Sequence, residues 1–248
     1  MLDVHPPHTP THTWKDFFIH IATITVGLVI AIGLEQSVEA VHHLHQRHQL
    51  EEKLRNELHE NLMVDEKDFK TFEGIRAYLN ELKTAVSTRE HEAAQPALPP
   101  AASDTRREQI PIAPSIAVWN AAKLDATVTL LPSNEIDMYS GVILQHDLLF
   151  AALNDFQRSA FELESFEERF VDYPGAFDMG YRTPPPNLDR MTPAELTEYE
   201  SRLATYIKSV DRVVVRIHFF DITARAILDG ATSREDVRHR LTEATTNH

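Results

Sequence analysis

The chain contains no cysteine, which excludes disulfides, thiolate nucleophiles and cysteine-ligated zinc in one step. The same absence leaves the redox compartment open. Glycine is scarce, with seven in 248 residues, and so few tight-turn residues argue against a β-rich fold with many hairpins. Positive charge is outweighed: 24 Lys and Arg against 38 Asp and Glu give a formal charge of −14. No basic patch breaks this acidic field, so nucleic acid is not an expected partner. Also missing are a phosphate-binding glycine loop, a nucleophile elbow, an HExxH metalloprotease signature and a dinucleotide fingerprint. The expectation is a protein that is not an enzyme and holds no cofactor.

What the chain does have is one uncharged apolar run, FFIHIATITVGLVIAIGL, from Phe17 to Leu34. That is close to the ~20 residues a helix needs to cross hydrocarbon. Trp14 and Lys15 precede it, an amphipathic ring and a snorkelling cation suited to the membrane interface. A soluble core helix seldom runs five turns without a charge. A cleavable leader fits poorly, because the apolar stretch is long and Ser37-Val38-Glu39-Ala40 is a poor cleavage site. The run therefore reads as a retained transmembrane helix in a lipid bilayer. Within it, Gly27 and Ala31 form a small-xxx-small pair that lets a second helix approach closely. His20 lies about a turn inside the span and reads as an imidazole reaching the interface or bonding to a neighbouring helix rather than as a haem ligand.

Beyond Leu34, only Gly74 interrupts a proline-free stretch up to Pro96. Leu50, Leu54, Leu58, Leu62, Phe69, Phe72, Ile75, Leu79, Leu82 and Val86 recur at helical spacing. The span is thus expected to continue into one long helix, roughly 70 residues and on the order of 100 Å unless broken near Gly74. The expected organisation is a tail over 1–16, the transmembrane helix over 17–34, a long juxtamembrane helix over 35–86, and an Ala- and Pro-rich linker over 87–114. A helical domain over 115–248 completes the bundle. In that domain Ser115 is the expected cap of a short helix running to Pro132, and Ser133 that of a long helix running to Pro174-Gly175. Thr192-Pro193-Ala194-Glu195 carries a capping box that opens a helix to Asp229-Gly230, and Ser233 with Asp236 opens a last short one. The fold class is all-α: a transmembrane helix continuing into a long helix, then an antiparallel helical bundle.

Candidate chemistry is confined to histidines. Glu39, His42, His43, His45, His48 and Glu52 cluster just past the span, and at 100° per residue His45, His48 and Glu52 share a helix face. One helix supplies all three, whereas structural metal sites recruit a second element, so a solvated juxtamembrane face is the expected reading. Glu39-x-x-His42 has di-iron spacing, but only Asp236-x-x-His239 echoes it. His5, His8 and His12 sit among prolines in the tail and point to a flexible or partner-docked segment. Trp119 and Tyr139 are expected in the core rather than lining a pocket.

The order of these features resembles uncharacterised bacterial families of single-span inner-membrane proteins. The likeness rests on Gly27-Leu-Val-Ile-Ala31, the Leu54 to Asn61 segment, Trp119-Asn-Ala-Ala122 and Tyr139. It implies the topology and an exported domain, and brings no catalytic residue. Cations around the span lean slightly toward a cytoplasmic domain, but they begin well past it among glutamates, and the expectation follows the resemblance: a C-terminal domain outside the cytoplasm. The expected role is structural or assembly-related, self-associating or joining other membrane-complex subunits. A ligand- or metal-sensing bundle is the alternative.

Overall fold

The computed structural model describes residues 14–88, 113–170 and 186–246. Residues 1–13 of the expected tail, most of the linker, and the irregular stretch before Pro186 lie outside the described residues; Trp14 to Asp16, expected in the tail, already belong to α1. Among the described residues there are five α-helices and no strand: α1 (Trp14–Thr88), α2 (Ala117–Leu124), α3 (Ser133–Glu167), α4 (Pro193–Leu228) and α5 (Arg234–Thr246). Contacts divide the chain into two units, Met1–Gln49 and Leu50–His248.

In the first unit, α1 leaves every residue from Trp14 to His45 exposed. Two hydroxyls within it bond back to the helix, Thr23 Oγ1 donating to the Ile19 carbonyl at 2.8 Å and Ser37 Oγ to the Gly33 carbonyl at 2.7 Å.

In the second unit, three long helices share one core. Leu50, Leu54, Leu58, Leu62, Phe72, Leu79 and Val86 of α1 are buried, with Phe69, Ile75 and Leu82 packed against them. Gly74 does not break the helix. The stripe from Leu50 to Val86 is therefore covered by the chain's own helices and offers no face for self-association. From α4, Tyr199, Leu203, Val210, Val213, Ile217, Phe220 and Ile227 face inward, the period of three and four expected of one apolar stripe. α3 contributes Tyr139, Val142, Leu149, Leu153, Leu163 and Phe166, whereas Phe150 is 52% exposed.

Contacts set the directions. Arg55 donates to the carbonyls of Ile227 and Leu228 at 3.1 and 2.6 Å, and Phe72 meets Phe156 edge-on at 5.1 Å, which stacks on Tyr206 at 5.5 Å. Ser159 bonds Ser209 at 2.7 Å, and Tyr199 donates to Glu167 at 3.0 Å. The lower part of α1 and α3 thus run in the same direction, and both are antiparallel to α4. α2 is tied to α1 through Asn61, which accepts from the Ser115 backbone N–H at 2.7 Å and donates to its carbonyl at 2.8 Å.

Helix ends depart from expectation where backbone turns intervene. α2 stops at Leu124 because Asp125 accepts from both the N–H and hydroxyl of Thr127, and Ala126 takes φ +62. A left-handed residue ends a helix regardless of the apolar pattern beyond it, and a short 3-10 turn, Thr127–Leu130, follows. At the other end of α2 the N-cap residue is Ile116, not the expected Ser115, which lies one position earlier. Pro132, not Ser133, occupies the N-cap of α3, without a side-chain bond. α3 ends at Glu167 and a 3-10 turn, Glu168–Phe170, carries the chain on. The box at Thr192 is present in full: the Thr192 hydroxyl accepts from the Glu195 N–H, and the Glu195 carboxylate accepts from the Thr192 N–H at 3.0 Å. α4 closes on Gly230 at φ +90, with Gly230 N–H bonded to Ile227 and Ala231 N–H to Ala226. This double bond is the Schellman pattern that glycine's left-handed freedom permits. At α5 the Thr232 N–H donates to Asp236 and the Asp236 N–H to Ser233 Oγ.

The Thr192 box gives a first expected result. Thr192→Ala should cost about 1 kcal/mol by leaving a first-turn N–H without its acceptor, and Thr192→Ser should restore most of it. Thermal unfolding of the two variants checks this, and equal midpoints for Ala and Ser would contradict it.

Candidate functional site

The exposed start of α1 carries the features expected of a membrane anchor. Its most apolar 18-residue window has 0% of its residues buried, and its length and composition suffice to cross a membrane. Phe17, Phe18, Ile24, Leu28, Val29 and Leu34 are each more than half exposed. Trp14 packs against Phe17 and Phe18 with ring centroids 5.9 and 6.1 Å apart, and Lys15 lies beside it, so the aromatic and cationic pair opens the helix. Gly27 and Ala31 share the exposed surface, and a Cβ built at Gly27 would meet nothing within 4 Å.

The histidines beyond the span are spread around the helix. His43 pairs with Glu39 at 3.9 Å and stands beside the His42 ring at 6.4 Å. The Gln49 amide nitrogen lies 2.9 Å from Nε2 of His45, one turn earlier on the same helix. His45, His48 and Glu52 are exposed. Among the described residues no group of three or more His, Asp or Glu is placed to hold a metal ion. His239, the distant echo, pairs with Glu243 of its own helix at 3.4 Å.

A charged centre lies inside the second unit. Asp65 is 3% exposed, and its Oδ2 has no hydrogen-bond partner. Burial pushes its carboxyl from 3.8 up to about 7, reinforced by the negative charges of Asp221 on α4 and Asp68 on α1. Burial also raises Asp68. Arg225 is paired with Asp221 at 2.8 Å, and the Lys67 cation opposes the rise at Asp68. With its carboxyl raised to about 7, Asp65 can hold and release a proton near neutral pH. Its position is legible in hindsight: Leu58, Leu62, Asp65, Phe69 and Phe72 keep the three-four spacing, and a carboxylate in a buried stripe is the signal.

Trp119 and Tyr139 are each 5% exposed with rings 6.1 Å apart. Burial raises the Tyr139 phenol to about 12. Both are packed core residues, as their spacing implied.

No family model, curated protein or solved structure matches this chain.

Proposed function

We propose that this chain is a membrane-anchored structural or assembly protein. One span holds it in a bacterial inner membrane, the helical bundle stands on the periplasmic side, and the protein self-associates or serves as an accessory subunit of a larger membrane complex. The observation that carries this reading is the wholly exposed apolar start of α1, opened by Trp14 and Lys15. Outside lipid, so much contiguous apolar surface is a liability. The second unit supports a scaffold role rather than catalysis: its polar contacts are caps, inter-helix ties and buried hydroxyl pairs that hold helices in register. The sequence resemblance to single-span inner-membrane proteins is in keeping with the same topology.

A second reading is an extracytoplasmic sensing bundle for a small molecule or metal. Asp65 favours it, since a buried carboxyl without a donor responds to whatever brings it one.

Reporter fusions and extraction test the proposal together. Alkaline phosphatase joined after His248 should be active and green fluorescent protein at the same point dark, with the fusion retained in membranes after an alkaline wash. Extracted in mild detergent, the protein should appear by native mass spectrometry as an oligomer or a complex. The opposite fluorescence pattern would place the bundle in the cytoplasm, and a monodisperse monomer would remove the assembly role.

A further inference from the structure

The exposed part of α1 carries a seam of period 3.5. Phe17, His20, Ile24, Gly27, Ala31, Leu34, Val38, Val41, His45 and His48 are spaced three and four apart without interruption. They occupy the a and d positions of successive heptads. None bears a formal charge, while Glu35, Glu39 and Arg47 fall at other heptad positions. The Glu39–His43 pair lies on the outer face, at b and f.

Lipid accounts for only part of this seam. A span of about 20 residues beginning at the aromatic belt ends near Leu34, and Glu35 and Glu39 mark the return to water. Val38, Val41 and Leu44 lie beyond it and are 69%, 69% and 66% exposed. Leu44 flanks the seam at g, where coiled coils extend their contact. An apolar stripe that runs unbroken from hydrocarbon into water needs a partner present in both. A second copy of the same chain meets that condition: inserted in the same membrane, it has the same direction and depth, so the seam faces itself in register. That is the self-complementary geometry of a twofold interface.

Gly27 adds an independent point. Its backbone is helical, and no atom of the chain lies where its Cβ would be, so nothing within the chain requires glycine, which weakens a helix relative to alanine. At a d position beside Ala31 it permits close approach of two helices in lipid. Gly33 is equally open but lies off the seam, so it is the heptad spacing, and not glycine, that defines the face. His45 and His48 end the seam in two polar layers, and polar residues at such positions fix register and partner number.

We infer that residues 17–48 form a parallel, in-register coiled coil with a second copy of this chain, crossing from the membrane into the adjacent water along Ile24, Gly27, Ala31, Leu34, Val38 and Val41. The inference rests on the anchored reading above, and it names the partner and the surface. The absence of cysteine makes the test direct. Single variants Val38→Cys and Val41→Cys place a thiol in the seam; Ala40→Cys and His43→Cys place one on the c and f positions outside it. Oxidation in native membranes should convert the seam variants to disulfide dimers, with loss of the monomer band, and leave the outer variants monomeric. Adding Gly27→Leu to Val38→Cys should reduce the dimer band. Each variant is also washed at alkaline pH to score membrane retention, and the parent is measured by native mass spectrometry. Cross-linking equal at seam and outer positions, or absent from both, in protein that stays in the membrane and remains oligomeric overturns the seam and leaves the anchored assembly reading intact. Loss of the protein from washed membranes overturns both.

Discussion

Phe72→Ala is expected to lower the unfolding free energy of the helical unit by about 3–5 kcal/mol, the usual cost of emptying a buried phenylalanine site that cannot collapse. Phe72 is 1% exposed and links all three long helices: it meets Phe156 of α3 edge-on at 5.1 Å, and Phe156 stacks on Tyr206 of α4 at 5.5 Å. Losing the edge-on contact adds to the loss of apolar burial, since such ring pairs contribute about 0.5–1.5 kcal/mol beyond area. Packing of the other two long helices into the same core leaves little slack to fill the void. Phe161→Ala is the control: Phe161 is 69% exposed, and a surface change away from caps and pairs stays within about 0.5 kcal/mol. Thermal unfolding of the two variants in mild detergent, followed by circular dichroism, measures the difference. Equal midpoints would mean that the three helices do not share this core.

The sequence discloses helices more readily than it discloses what covers them. α4 is legible at both ends because Thr192, Pro193, Glu195 and Gly230 each do a chemically specific job at a helix terminus, and its apolar period is unbroken. α2 ends early because a left-handed Ala126 sits inside the Asp125–Thr127 turn. Alanine carries no mark of that conformation, so the apolar pattern ran past it. The stripe from Leu50 to Val86 was readable as a buried face, but periodicity does not distinguish a cover supplied by the same chain from one supplied by another. Here α3 and α4 supply it, and the unpartnered surface moves to the other end of the same helix. The shared direction of α1 and α3 was not legible either, since residues 89–112 between them carry no apolar period from which a direction could be read. Asp65 is hidden from apolar periodicity because it fills a position of the stripe with a carboxylate.

That carboxylate should make stability depend on pH in a direction unusual for an acid. A surface carboxylate held by hydrogen bonds stabilises a fold above its unfolded pKa. Asp125, Glu195 and Asp236 are of this kind, lowered by bonds from Thr127, from Thr192 and from Thr232 with Ser233 respectively. Asp65 is the reverse, raised by burial and by Asp221 and Asp68 from 3.8 to about 7. Between those values the folded chain keeps a proton that the unfolded chain releases. Its contribution is therefore fully present below pH 3.8, falls as pH rises toward 7, and is lost above it. A shift of this size corresponds to at most about 4 kcal/mol at roughly 1.4 kcal/mol per unit. Asp65→Asn cannot ionise and keeps the shape of the protonated acid. It should unfold less readily than the parent at pH 8, by about 2–4 kcal/mol, with the gap closing as the pH is lowered toward 4. The bonded carboxylates are common to both proteins, so their opposite slope cancels in the difference. Denaturant titrations of both chains at pH 4, 6 and 8 decide the matter: a gap that does not change with pH, or an Asn variant weaker throughout, would show that the fold holds Asp65 as a paired anion rather than a buried acid.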